Sequence, residues 1–295
     1  MAEINKITIG RKPSWLKIKL GKGENYINVK KIINEHQLHT ICTSGHCPNQ
    51  GECWNAGTAT FLIMGDICTR SCKFCATKTG KPMPLNINEP GELAESVKLL
   101  TLKHCVITSV DRDDLSDGGA EHWAATINKV KEINAKTTIE TLIPDFDGRT
   151  IDIQKVINAS PEIISHNLET VRRLTPLVRS KAKYDVSLKV IKTISDAGIT
   201  SKSGIMVGLG ETYEEILETM NDLIAVGCQI FTIGQYLQPT KNHLPVFEYI
   251  TPEIFMQLKQ EGLKRGFKIV ESDPLVRSSY HAANHVPNAA SLRFA

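Results

Sequence analysis

The sequence is short of aromatic residues, which fill 6% of its 295 positions, and no apolar run approaches the ~20 residues that cross a bilayer. A membrane-spanning helix is therefore not expected. It also lacks an excess of charge of one sign, with 35 Lys and Arg against 32 Asp and Glu. So mild a balance excludes the strong phosphate-directed attraction of a nucleic-acid binder. Neither a low-complexity linker nor a short-period repeat interrupts the chain. Its first stretch, Met1 to Lys22, has no continuous apolar segment of the kind that directs secretion, which points to a cytoplasmic location. Apolar residues at 41% and charged residues at 23% exclude a disordered or collagen-like chain. The length suits one large α/β barrel with appendages.

Cysteine is what the chain has in quantity. Of eight, six fall between Cys42 and Cys75 in two groups of three, while Cys105 and Cys228 stand alone in apolar stretches and read as core residues. In a reducing compartment, clustered thiols bind metals more often than they pair as disulfides. The second group, Cys68-x3-Cys72-x2-Cys75, follows an apolar strand and precedes a loop rich in Lys and Pro. This places it at the C-terminal mouth of a barrel strand, where catalytic groups gather. Three thiolates can hold three irons of a 4Fe-4S cubane and leave the fourth open to a small molecule. The competing reading is a structural zinc knuckle, which needs a fourth ligand such as His46. The first group, Cys42-x4-Cys47-x5-Cys53, again offers three thiolates without a fourth cysteine.

Around these groups the pattern is one of alternating strands and helices. Strands are expected near Thr60–Gly65, Cys105–Ser109, Thr138–Ile143, Glu162–Ser165, Ser203–Val207 and Gln229–Ile233, with a further one at Phe267–Val270. Helices are expected near Ile27–Leu38, Gly91–Leu102, Gly119–Ile133, Thr150–Asn158, Tyr184–Ala197, Thr212–Val226 and Pro252–Arg265. Gly198 and Gly227 fall where left-handed helix caps are common. The alternation predicts an α/β fold, a partial (β/α)6 TIM-type barrel with N- and C-terminal extensions. The expected divisions are residues 1–57 with the first cysteine group, 58–271 as the barrel and 272–295 as a tail.

Several further motifs lie at expected strand ends: Thr108 to Leu115, with its run Asp111-Arg112-Asp113-Asp114; Ser165 to Thr170, with Asn167 and Glu169; Gly204 to Glu211, with Gly208; and Gln235 to Thr240 followed by His243 to Val246. Asn167 and Glu169 suit either a ligand at the mouth or the start of a helix. Tyr236 suits core or cavity, and the Arg172-Arg173 pair and Lys241 read as solvated charge. The tail carries Arg277-Ser278-Ser279-Tyr280.

The cysteine spacing around Phe74 resembles the signature of radical S-adenosylmethionine enzymes. With Gly45, His46, Pro48, Asn49, Gly51, Glu52, Trp54 and the Arg-Ser-Ser-Tyr run, the chain from Lys17 to Tyr280 is similar to the lipoyl synthases. The resemblance implies two 4Fe-4S clusters. One, on Cys68, Cys72 and Cys75, binds and cleaves S-adenosyl-L-methionine; the auxiliary one lies on Cys42, Cys47, Cys53 and Ser279. It implies S-adenosylmethionine contacts from Asn167, Glu169, Gly208 and Glu211, and a sulfurtransferase that inserts sulfur at carbons 6 and 8 of a protein-bound octanoyl-lysine. Implied partners are an octanoylated lipoyl carrier (glycine cleavage H protein or 2-oxoacid dehydrogenase E2), a flavodoxin or ferredoxin reductant and a cluster-repair protein. Another sulfur-inserting radical enzyme of the methylthiotransferase or biotin synthase type, or a noncatalytic cluster or zinc carrier, is the alternative.

Overall fold

The computed structural model describes residues 12–17, 23–35, 38–56 and 58–286. Most of the Met1 to Lys22 stretch, residues 36 and 37 of the helix expected at Ile27–Leu38 and the last nine residues of the tail lie outside them; that helix forms at Glu24–Glu35 and has ended before Leu38.

Seven strands run parallel: β1 Thr60–Ile63, β2 His104–Ser109, β3 Thr138–Leu142, β4 Ile163–Ser165, β5 Thr200–Val207, β6 Ile230–Gln235 and β7 Ile269–Ser272. They pair in chain order, with Thr60 opposite Val106, Cys105 opposite Ile139, Ile163 opposite Thr200, Ser203 opposite Phe231 and Ile269 opposite Ile230. Every residue of β1 and β6 is buried. This is the pattern of parallel strands covered on both faces, and it explains why they read as apolar runs rather than alternating ones. Six helices cover the sheet: α1 Glu89–Leu99, α2 Ala120–Ile133, α3 Thr150–Asn158, α4 Tyr184–Asp196, α5 Tyr213–Ala225 and α6 Pro252–Arg265. Thr212 and Glu215 close a reciprocal capping box at the start of α5, and Gly266 ends α6 at φ 107°. Gly198 and Gly227 also have positive φ just past their helices, as expected.

The structure adds elements too short to leave a periodic trace. A two-residue strand, His39–Thr40, pairs antiparallel with β1 and forms one edge of the sheet; β7 forms the other. The His39–Thr40 edge leads into the first cysteine group through a helical turn, Ile41–Ser44, and a second short helix follows at Gln50–Asn55. β7 leads into the tail. The two segments meet: Asn49 Nδ2 donates to Leu275 O at 2.7 Å, Tyr280 Oη to Glu52 Oε1 at 3.1 Å and Thr60 Oγ1 to Ser279 Oγ at 2.8 Å. Residues more than 200 positions apart thus build one corner of the molecule.

Candidate active site

The loop carrying Cys68, Cys72 and Cys75 leaves β1 and is closed by a miniature ladder, Ile67–Cys68 beside Lys78–Thr79. Gly80 N–H donates to Cys68 O at 3.0 Å, and Thr79 Oγ1 to Arg70 O at 3.1 Å. Arg70 fastens the loop to the barrel. Its guanidinium forks onto Asp113 (2.9 and 2.8 Å) and again onto Asp145 (3.0 and 2.8 Å). Two bidentate pairs fix orientation as well as position. Although burial works against its charge, Asp145 is held down to about 2 by Arg70. The Asp111-to-Asp114 run, whose roles the sequence left unassigned, now separates. Asp113 holds Arg70, Asp114 pairs with Arg112 at 2.8 Å, and Asp111 faces Cys68, whose Sγ lies 3.6 Å from Asp111 Oδ2.

Burial, then the neighbouring Asp111, pushes Cys68 up to about 12, while the N–H groups of Arg70 and Asp111 favour its thiolate. Cys75 is raised mainly by burial. Both therefore release protons when they bind metal. Opposite the cluster loop, Ser71 N–H donates to Ser180 Oγ at 3.2 Å and Lys73 N–H to Val178 O at 2.9 Å, and His243 Nε2 reaches Cys75 O at 2.9 Å.

A cavity of about 480 Å³ opens over the strand ends and is lined by Cys42, Cys47, Cys68, Cys72, Cys75 and Ser279, among others. That volume is within the usual range of small-molecule sites. Cys53 is not among its lining residues, but it is close enough for the charges of Cys42 and Cys47 to raise it. With burial as the largest cause, it reaches about 12. Burial raises Cys42 and Cys47 also, and the Arg277 guanidinium opposes the rise at Cys47. The Trp54 indole N–H, which has no other partner, favours the Cys42 thiolate. Among the described residues no three His, Cys, Asp or Glu side chains converge as ligands of one ion. A cubane instead takes its thiolates one to each iron, and the donor set fits that arrangement: three thiols per group, with hydrogen-bond donors beside them.

Across the cavity, Asn167 and Glu169 follow β4. Asn167 Nδ2 donates to Ser278 Oγ at 2.6 Å, while its Oδ1 is buried without a partner, an acceptor that a ligand hydroxyl or amine would satisfy. Glu169 is not a helix cap. At φ 68° its backbone bridges to β5, accepting from Met206 N–H at 2.9 Å and donating to Gly204 O at 3.0 Å. Burial raises its carboxyl and Arg179 opposes the rise. Gly204 is required here, because a Cβ would collide with Thr232 Oγ1 and approach Asn167 Oδ1 to 3.2 Å. The open backbone of β5 is thus presented to the cavity. Tyr236 is both core and lining, with its hydroxyl donating to Leu244 O at 2.7 Å.

Two expected ligand residues stand elsewhere. Gly208 and Glu211 do not line the cavity. The Glu211 carboxylate accepts the N–H groups of Gly208 (2.5 Å) and Leu209 (2.9 Å), and Gly208 packs against Gln235 and Glu248. They shape the turn after β5. The Arg172-Arg173 pair is held by Asp185, Asp222 and Glu215. Sequence reasoning missed Arg70, Asp145 and Arg179. Arg70 had a signal, a lone cation between two cysteines, but its partners are 43 and 75 residues away.

Comparison with known proteins follows the same lines. The profile of the Radical SAM superfamily matches residues 62–223. "Lipoyl synthase" of Bacteroides fragilis (strain YCH46) is 63% identical over 276 residues, covering 94% of this chain and 96% of the relative. "Lipoyl synthase" of Phocaeicola vulgatus is 63% identical with 94% and 97% covered. Among solved structures, HydG, a maturase of the FeFe-hydrogenase, superposes with a TM-score of 0.55 at 11% identity, covering 88% of this chain and 74% of that one. That likeness concerns the fold.

Proposed function

The chain belongs to the lipoyl synthase family of the radical S-adenosylmethionine superfamily, and from that premise we propose how its own residues serve the reaction. It is a lipoyl synthase acting on octanoylated carrier proteins, and its cofactors are S-adenosylmethionine and two 4Fe-4S clusters. Bound here, these cofactors supply hydrogen abstraction from unactivated carbon and the sulfur that replaces the hydrogen at carbons 6 and 8.

Cys68, Cys72 and Cys75 would hold one cluster, and with only three thiolates offered a place on it would be free for S-adenosylmethionine. Arg70 keeps their loop fixed over the mouth through Asp113 and Asp145. Asn167, by its unpaired amide oxygen, and Glu169 bind the nucleoside's polar groups, and the bare backbone at Gly204 admits its flat base. Cys42, Cys47, Cys53 and Ser279 hold the auxiliary cluster. The hydrogen bond from Thr60 Oγ1 stabilises negative charge on Ser279 Oγ. A hard alkoxide among thiolates is a weak ligand for iron, so Ser279 would be the most readily released of the residues that hold the auxiliary cluster. The expected division at 57/58 and 271/272 assigns the auxiliary ligands to the two appendages and the rest to the barrel, with the second boundary moved past Ser272, the last residue of β7. Among the described residues no helix is long and apolar enough to cross a membrane.

The observation that carries this reading is that ligands of both groups, together with Ser279, line one cavity. A glycine cleavage H protein or an E2 domain is the carrier whose octanoyl-lysine enters it, with a flavodoxin or ferredoxin as reductant and a cluster-repair protein for repeated turnover. The test is mass spectrometry of an octanoyl-lysyl peptide after anaerobic incubation with reconstituted protein, S-adenosylmethionine and strong reductant. A product with two added sulfurs is expected. 5′-Deoxyadenosine beside unmodified peptide would retain the radical chemistry and overturn the substrate.

A further inference from the structure

From the floor of the cavity downward, the barrel interior holds charges that the proposed reaction leaves without a role. Lys202 of β5 and Glu140 of β3 are each about 1% exposed, and Lys202 Nζ donates to Glu140 Oε1 at 2.7 Å. Ser165 Oγ adds a second donor to the same oxygen at 3.0 Å. The third partner comes from the tail: His285, equally buried, accepts from Lys202 Nζ through Nδ1 at 3.2 Å. An ammonium can only donate, so His285 carries its hydrogen on Nε2, which points toward Glu271 Oε1 of β7 at 3.6 Å. The next residue, Val286, packs against Ile163 and Ile230, at the starts of β4 and β6.

We propose that the Lys202–Glu140–His285 cluster is a clamp that positions Ser279. It makes His285 a positioning residue for the auxiliary cluster; this rests on Ser279 being a ligand of that cluster. The chain between them is short and internally bonded. Tyr280 N–H donates to Arg277 O at 2.9 Å, Ala282 N–H to Ser279 O at 3.3 Å and Asn284 N–H to His281 O at 2.9 Å, leading into the 3-10 turn Ala282–His285. On the other side of Ser279, Gln235 N–H holds Pro274 O at 3.2 Å and Asn49 holds Leu275 O. The serine is therefore bracketed between an anchor at the end of β6 and one inside the barrel. A ligand on a loose chain end must be ordered afresh when metal binds, at an entropic penalty; a ligand on a bracketed turn is ordered in advance. A buried lysine paired with a carboxylate is a suitable post, because an unpaired charge there would be strongly unfavourable. Glu140 also lines the cavity, so the clamp reaches the site itself.

The experiment compares His285→Ala, His285→Gln and Ser279→Ala in the full chain. In the metal-free protein, amide hydrogen exchange of residues 276–286 should rise about tenfold or more in His285→Ala, as expected for one lost charge-assisted hydrogen bond. Gln can replace both nitrogens of the histidine, one as acceptor and one as donor, and should restore most of the protection. In reconstituted protein the Mössbauer spectrum of the auxiliary cluster should change in His285→Ala as it does in Ser279→Ala, while 5′-deoxyadenosine formation stays within about twofold of wild type, since the cluster loop is fastened separately by Arg70. Unchanged exchange in His285→Ala overturns the clamp. Equal loss of both clusters overturns it too, because that is a general folding defect. If Ser279→Ala keeps the wild-type spectrum, the ligand reading itself falls and takes the positioning role with it, whatever the exchange shows.

Discussion

The two cysteine groups are built in opposite ways. Cys68, Cys72 and Cys75 sit on one short loop with its own miniature ladder, and a single buried arginine ties that loop to two strand ends. Cys42 and Cys53 sit on two short helical segments and Cys47 in the turn between them, a corner whose partners come from the far end of the chain, through Leu275, Ser279 and Tyr280. Burial pushes Cys53 and Cys68 to about the same value, near 12, so the contrast does not lie in the thiols. It lies in what holds them: a local loop pinned by strong bidentate ion pairs, against a corner assembled by long-range contacts, each of them modest.

That contrast is sharpest at Arg70. Replacing it by Met leaves the buried Asp145 without a cation, with Asp113 held by Lys181 at 3.1 Å, and should lower unfolding stability by about 3 kcal/mol. Urea denaturation measures the loss, and iron analysis should find the loop cluster missing while the auxiliary one remains. Lys should not rescue, because a point charge cannot serve two carboxylate forks. Loss of the auxiliary cluster instead would break the proposed independence of the two sites.

On the other side of the comparison, Ser279→Ala should separate the two chemistries. S-adenosylmethionine cleavage continues, while the doubly sulfurated product falls by roughly 100-fold or more, at the upper end of what metal-site substitutions do. Product assay and 5′-deoxyadenosine assay on one sample decide it. Parallel loss of both would mean that Ser279 serves the whole cavity.

The two regions should also soften in acid at different pH. His104, at the edge of the Lys202–Glu140 cluster, is held by burial down to about 4. Its unfolded value is about 6.5, so the stability it contributes is present above that pH and is lost as pH falls toward about 4. Asp145 lies at about 2 when folded. Its contribution persists to about pH 4 and is lost only between there and about pH 2. The first is worth on the order of 3 kcal/mol and the second on the order of 2 kcal/mol. Hydrogen exchange against pH should show the tail and its barrel contacts loosening first and the Cys68 loop later; the reverse order would contradict the assignment.

The smallest effect is expected at Tyr280→Phe, which removes an exposed hydrogen bond to Glu52. A loss of about 0.5 kcal/mol by urea denaturation, with cluster content unchanged, is expected.

The (β/α) alternation was legible because buried parallel strands leave apolar runs and amphipathic helices leave a 3.6-residue period. The strands expected near 60, 105, 138, 162, 203 and 229 all formed, and so did the seventh near 267. The His39–Thr40 edge and the Ile67–Cys68 ladder were not legible, since two residues carry no period. Gly208 and Glu211 matched a motif, yet their polar groups satisfy each other in the turn after β5. Asn167 and Gly204 face the cavity instead.

The sequence by itself determined the chemistry on offer. Thiol spacing, the Arg-Ser-Ser-Tyr run and the strand order are properties of neighbouring residues, and these establish which metals and which barrel are possible. Only the tertiary structure decided how the pieces are held. Arg70 between Asp113 and Asp145, Ser279 against Thr60 and His285 on Lys202 join residues 43 to 219 positions apart. Such pairings leave no local trace, because they depend on which strand ends and chain segments the closed fold brings within hydrogen-bond reach.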